Sequence, residues 1–131
     1  MSALRNLLVL AAITAGAVVP ARGQDPANPG RDAFRAEKAI EVGQFYLKKG
    51  NYDAAIERFR EAIRHRPAYA RPYLLLGQAY EKKGEPEDAI GLYERYLELA
   101  PHGPDAEKVR KTIESLRRKL EGKKNQGKSK S

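Results

Sequence analysis

Few residues of this chain could carry acid–base, nucleophilic or metal chemistry. Cysteine is absent, which excludes disulfides, thiolate nucleophiles and Cys-ligated metals. The two histidines are His65, which arginines flank on both sides, and His102, which has only Asp105 and Glu107 nearby. Close to the end of a predicted helix, His65 is expected to be solvated or to face the helix dipole. Without a nucleophile–base pair, a phosphate loop or metal-ligand spacing, we predict no enzymatic activity, no cofactor, no metal and no small-molecule substrate.

The net charge of +8 is unevenly distributed along the chain. Residues 117–131 hold seven basic residues and one acid, whereas residues 24–116 hold 16 of each sign. The body of the protein therefore lacks the charge of a nucleic-acid binder, and only the tail could contact an anionic surface. The tail lysines are Lys123, Lys124, Lys128 and Lys130.

Residues 1–23 have the organisation of a secretory signal peptide. Arg5 precedes an apolar run of 13 residues, Leu7–Val19, and small residues at 21 and 23 precede a predicted cleavage before Gln24. An uncleaved anchor is the alternative, but a membrane-spanning helix needs about 20 apolar residues. We therefore predict an exported protein, periplasmic or secreted, that is soluble after cleavage.

The elements that must position any functional residue come from a repeat of 34 residues. When residues 36–69 are aligned with residues 70–103, ten positions are identical. A fixed period of this length is the signature of a repeat architecture. The identical pairs are Ala36/Ala70, Gly43/Gly77, Gln44/Gln78, Tyr46/Tyr80, Lys48/Lys82, Lys49/Lys83, Gly50/Gly84, Ala55/Ala89, Ile56/Ile90 and Pro67/Pro101.

Apolar residues at helical spacing predict two helices in each repeat and a fifth helix after them. Gly50 and Gly84 are expected to end the first helix of each repeat in the left-handed conformation, and Pro67 and Pro101 to stop the second. The fifth helix has one apolar stripe, as a terminal cap should. The predicted helices are Asp32–Lys49, Tyr52–His65, Tyr69–Lys82, Pro86–Leu99 and residues 104–120.

The segments at either side of these helices have few apolar residues. Residues 24–31 contain two prolines and a glycine and predict a flexible linker, with Asp32 as the N-cap of the first helix. Residues 121–131 contain no apolar residue and predict a disordered tail.

Both copies of the repeat resemble the tetratricopeptide repeat family. The first copy reads Gly43-x2-Tyr46-x3-Gly50-x-Tyr52-x2-Ala55-x3-Phe59-x2-Ala62-x4-Pro67, and the second reads Tyr73-x2-Leu76-Gly77-x2-Tyr80-x3-Gly84-x4-Ala89-x3-Tyr93-x7-Pro101. The resemblance implies an all-α fold, a right-handed α-solenoid of two helix-turn-helix units, 36–69 and 70–103, with a capping helix at 104–120. Together these form one domain over residues 32–120.

Small residues at Gly43 and Gly77 are expected where the two helices of a unit cross closely. One departure from the family pattern is Tyr96, which stands where the family prefers alanine. We expect its side chain to point into a looser part of the stack or toward the capping helix.

The resemblance also implies a concave surface, lined by the first helix of each unit, that holds a peptide or a helix of another protein. Glutamines stand at equivalent places in both units, and an amide can pair with a peptide backbone whatever its sequence. The alternative is that Ile40 and Leu74 are packing residues and the glutamines are merely solvated. The implied groove residues are Glu37, Ile40, Gln44, Leu47 and Lys48 in the first unit, Arg71, Leu74, Leu75, Gln78, Glu81 and Lys82 in the second, and Lys108 and Thr112 on the cap.

One sub-type of the family does not fit this chain. Members that grip the C-terminal carboxylate of chaperones pair a lysine with an asparagine one turn later, and here that turn holds Ile40 and Gln44. The chain therefore lacks the chaperone clamp.

Two functions of different classes follow from these features. The first is a protein-binding scaffold, similar in organisation to the short repeat modules of proteins that assemble or maintain the cell envelope. The second is an adaptor whose basic tail tethers it weakly to anionic membrane, envelope polymer or nucleic acid; the alternative is a solvated tail that only keeps the protein soluble. Because two repeats are few for a continuous core, self-association through an open end of the stack is also expected.

Overall fold

The computed structural model describes residues 26–130, which form five α-helices and no strand. The predicted signal peptide lies outside these residues. No helix within 26–130 combines the length and the apolar character that crossing a membrane requires. The helices are α1 (Pro29–Lys48), α2 (Tyr52–His65), α3 (Ala70–Lys83), α4 (Pro86–Leu99) and α5 (Ala106–Ser129). The predicted all-α solenoid of two helix pairs and a capping helix is thereby confirmed.

The N-terminus of α1 differs from the prediction. Asn28 is the N-cap, because its side chain accepts a hydrogen bond of 3.0 Å from the backbone N–H of Arg31, and Pro29 occupies the first helical position. The prediction of a linker up to residue 31 is therefore wrong for residues 29–31, and Asp32 is not the cap.

Asp32 instead joins α1 to α2. It is buried in the first turn of α1, and its Oδ1 lies 3.3 Å from Nδ1 of His65 in the last turn of α2. The solvated role predicted for His65 is therefore wrong, since this side chain is largely buried against the acid.

The glycines between the paired helices adopt the expected backbone. Gly50 has a φ of 75° and Gly84 a φ of 89°, the left-handed conformation that costs glycine no steric strain. Each turn after them is short, so α1 and α2, and then α3 and α4, fold back on each other as antiparallel pairs.

The core consists of two clusters along the stack. The first lies among α1, α2 and α3 around Ile40 and Phe59, and the second joins α4 to α5 around Tyr93 and Tyr96. Tyr96 is buried there against the cap, as expected. The cap contributes Val109, Ile113 and Leu116, its single apolar stripe, to the second cluster.

Each helix pair crosses at a glycine that lies under an aromatic ring. A Cβ atom added to Gly43 would lie 2.5 Å from a ring carbon of Phe59, and one added to Gly77 would lie 2.6 Å from a ring carbon of Tyr93. Both distances are too short for real atoms. The structure thus explains why the two repeats share glycine at this position.

We predict that Gly77→Ala lowers the free energy of unfolding by about 1–3 kcal/mol, because the methyl group overpacks the buried Tyr93 ring. Gly91→Ala is the matched control, since Gly91 lies within α4 and a Cβ there would meet no atom within 4 Å. That control should stabilise the protein by up to about 1 kcal/mol through helix propensity. Urea unfolding of both variants measures the difference, and equal effects of the two substitutions would contradict the close crossing.

Several apolar residues of α1 do not belong to the core. Phe34, Val42 and Phe45 are exposed, whereas Ala36, Ala39, Ile40 and Gly43 are buried. Only α2 and α3 pack against α1 in the described chain, so no other helix covers the opposite side of α1.

The tail is helical rather than disordered over its described length. Helix α5 continues from the predicted cap end at Leu120 to Ser129, although every residue of 121–130 is exposed. Extending an existing helix avoids the cost of nucleation, and Lys, Glu and Gln are good helix formers. The tail was predicted to be disordered because it contains no apolar residue. A helix that has already formed can nevertheless continue without packing against another element.

Candidate functional site

An open cavity of about 520 Å³ lies between α3 and α5. We call it the α3–α5 groove. The backbones of α3 and α5 stay apart, and Tyr93 of α4 lines the cavity between them. Its lining residues are Leu74, Gln78, Glu81 and Lys82 of α3, Tyr93 of α4, Asp105 at the N-cap of α5, and Lys108, Val109 and Thr112 of α5.

The α3–α5 groove brings together most of the groove residues predicted on α3. Leu74, Gln78, Glu81 and Lys82 all line it, and so do Lys108 and Thr112, the predicted extension onto the cap. Leu75 does not, because its side chain is buried in the first core cluster. A second cavity of about 630 Å³ shares Glu81, Lys108 and Thr112 and continues along α5.

The first repeat contributes less to an open surface than predicted. Ile40 is 1% exposed and belongs to the first core cluster, so its assignment to the groove is wrong. The reason is that Ile40 points at α2 and α3 rather than at solvent. Leu47 is half-buried against the same cluster, and Lys48 is exposed at the end of α1.

The polar residues between α1 and α3 are paired with one another. The guanidinium of Arg71 lies 3.4 Å from a carboxylate oxygen of Glu37 and donates to the amide oxygen of Gln44 at 3.5 Å. Gln44 and Gln78, equivalent in sequence, therefore differ in structure. The Gln44 amide oxygen already has a partner, whereas Gln78 lines the open groove.

Tyr93, Asp105 and Val109 complete the groove and were absent from the predicted set. Tyr93 stands where the first repeat has Phe59. Its hydroxyl group is the signal that could have revealed a second role, since a buried tyrosine usually aims that group at a polar partner.

The Tyr93 hydroxyl donates a hydrogen bond of 2.6 Å to a carboxylate oxygen of Glu81. Burial raises the pKa of Tyr93 above the ordinary value of 10.0, and the hydrogen bond to Glu81 raises it further. The phenol therefore stays protonated in the folded protein, and it holds Glu81 at the edge of the groove.

This raised pKa predicts a loss of stability at high pH. The unfolded state releases the Tyr93 proton near pH 10.0 while the folded state retains it, so the free energy of unfolding falls as pH rises above that value. Tyr93→Phe should show a smaller fall than the natural protein. Thermal unfolding between neutral pH and the alkaline range measures this difference. Tyr52→Phe, at a half-buried site at the start of α2, is the control for the other tyrosines.

The groove combines a largely polar lining with balanced charge. Leu74 supplies apolar surface, whereas Val109 is almost fully buried, and the carboxylates of Glu81 and Asp105 offset the two lysines, Lys82 and Lys108. Within residues 26–130 neither lysine forms an ion pair. No group of three potential metal ligands occurs in that range either.

The basic tail is presented on the exposed end of α5. Lys123, Lys124, Lys128 and Lys130 are all exposed, and none of them lines the α3–α5 groove. The tail and the groove are therefore separate surfaces.

Comparison with known proteins concerns the repeat region. A probable UDP-N-acetylglucosamine–peptide N-acetylglucosaminyltransferase of Arabidopsis thaliana, SEC, is 33% identical over 63 residues, which are 48% of this chain and 6% of that protein. The chain thus spans a small fraction of this relative. A tetratricopeptide repeat family model matches residues 43–104, which run from the middle of α1 through the end of α4. The two helix pairs thus carry a match to the tetratricopeptide repeat, which generally mediates protein–protein interaction and is typically a non-catalytic scaffold.

Proposed function

We propose that this protein is a non-enzymatic scaffold that binds a peptide or helix of another protein in the α3–α5 groove. The observation that carries the proposal is the groove itself, which is open and is lined by side chains of both α3 and α5. Between α1 and α3, by contrast, the guanidinium of Arg71 already contacts Glu37 and Gln44.

The lining of the groove indicates the kind of segment that fits. An apolar side chain of the partner would cover Leu74, while the amide of Gln78 pairs with the partner's backbone. Because the lining charges balance, the groove has no strong preference for an acidic or a basic partner. The match to a repeat that generally binds proteins supports the same function.

The proposed site of action is the cell envelope. The organisation of residues 1–23 supports export to the periplasm or outside the cell. There the scaffold would position a partner during envelope assembly or maintenance.

A photo-crosslinking amino acid at position 78 tests the groove. It should trap a partner protein from envelope extract, because Gln78 lies inside the groove. The same group at Gly91, which is exposed on α4 with open space around it, is the control and should trap none. Trapping at position 91 with none at position 78 would contradict the proposal.

A second candidate function rests on the helical tail. The extension of α5 displays four exposed lysines beyond the cap, which favours weak attachment to anionic lipid, envelope polymer or nucleic acid. Binding of the full chain to anionic vesicles should exceed that of a chain ending at Leu120, and it should fall with salt. Equal binding by the two chains would exclude this role.

A further inference from the structure

Helix α1 exposes an apolar stripe on the side turned away from its packed face. Phe34 is 63% exposed, Phe45 57% and Val42 39%. The buried residues of this helix, Ala36, Ala39, Ile40 and Gly43, lie on the opposite side. Large exposed aromatic residues on one helix face are typical of an interaction surface.

The residues of this stripe are arranged symmetrically along the helix. Phe34 and Phe45 are equally far from the point between residues 39 and 40, and so are Lys38 and Glu41. The steps between these four positions are four, three and four residues, which keeps them on one helix face. An antiparallel copy of the same helix would therefore place Phe34 opposite Phe45, and Lys38 opposite Glu41.

The surface also borders a recess. A shallow cavity of about 350 Å³ lies between α1 and α2, lined by Phe34, Lys38 and Val42 on one side and by Arg58 and Glu61 on the other. Phe45 does not line this cavity. In a two-fold pair, each copy can place its Phe45 beside Phe34 at the edge of the other copy's recess.

The charges on this surface permit such pairing. Lys38 and Glu41 form an exposed ion pair of 2.9 Å within one chain, and they can exchange partners between two chains. Residues 24–116 carry equal numbers of basic and acidic residues, so the bodies of two copies do not repel each other through net charge.

We propose that two copies of this protein associate through their α1 helices, antiparallel about a two-fold axis at the level of residues 39 and 40. Each Phe34 packs against Phe45 of the other copy, and each Lys38 pairs with Glu41 of the other copy. The contact covers the open N-terminal end of the stack and leaves the α3–α5 groove free, so it is independent of the proposed function.

Charge reversal at the centre of the contact tests both the association and its register. Lys38→Glu places two acids on each copy, and Glu41→Lys places two bases on each copy. Either variant alone should self-associate at least about tenfold more weakly than the natural full chain, because like charges then face each other. An equimolar mixture of the two should form a mixed dimer. Both residues are well exposed, so neither change disturbs the fold.

Analytical ultracentrifugation of the full-length chains, with a fluorescent label on one variant, gives the result. A weakened dimer for each variant and a restored mixed dimer would support the proposal. A monomeric natural chain would overturn it, as would unchanged self-association of either variant or a mixture that fails to pair. Association driven by other apolar parts of the chain would be insensitive to both charge reversals.

Discussion

Replacing Phe59 with alanine is expected to lower the free energy of unfolding by about 3–5 kcal/mol, the usual cost of removing a fully buried aromatic ring. Phe59 is 0% exposed, and its ring lies against Gly43 at the crossing of α1 and α2. Alanine would leave a cavity there that the flanking helices cannot fill without moving closer together. Small domains are stable by only about 5–15 kcal/mol, so a large share of the stability should disappear. Urea unfolding followed by circular dichroism measures the change.

Phe34→Ala is the matched control for this prediction, because it removes the same side chain from an exposed site on α1. Measured on dilute, monomeric protein, it should change the free energy of unfolding by no more than about 0.5 kcal/mol. Similar losses for the two variants would mean that Phe59 does not occupy the crossing.

Gln78→Trp is expected to weaken binding of the groove partner at least about tenfold, which corresponds to about 1.4 kcal/mol. The indole ring would enter the cavity of about 520 Å³ that Gln78 lines, and it would displace the partner's side chain from Leu74. Gln78 is half-buried and its side chain borders open space, so the fold should tolerate the larger group. The partner trapped by the crosslinker provides the ligand for a titration calorimetry measurement.

The equivalent substitution in the first repeat, Gln44→Trp, is the control. Gln44 lies beside Arg71 on the face whose polar groups are already paired, so its replacement should weaken binding less than Gln78→Trp. A greater loss from Gln44→Trp would move the binding site to the α1–α3 side of the stack.

The repeat made most of the fold predictable from the sequence. Helices α2 and α4 begin and end at the predicted residues, because a proline or a glycine marks each boundary. The close crossing at Gly43 and Gly77 was also predictable, since small residues at equivalent positions have a packing cause. Periodicity succeeds here because neighbouring units must fit each other in the same way.

The predictions were wrong where a local capping sequence sets a helix boundary and where the burial of a residue depends on the neighbouring helix. Asn28 and Pro29 form a cap that the composition of the linker obscured. Ile40 and Leu74 are equivalent in sequence, yet Ile40 is enclosed by α2 and α3 while Leu74 faces the groove beside α5. The sequence of one repeat cannot reveal this difference in burial, because it depends on which helix comes next in the stack.

Amide chemical-shift mapping of the isotope-labelled chain, titrated with the partner trapped at position 78, tests whether that partner binds in the α3–α5 groove. We expect the largest changes on the groove side of α3 and α5, at residues such as Leu74, Gln78, Lys108 and Thr112. Changes concentrated on α2, on the exposed side of α4 around Gly91, or on the lysine tail, with the groove residues unaffected, would contradict it.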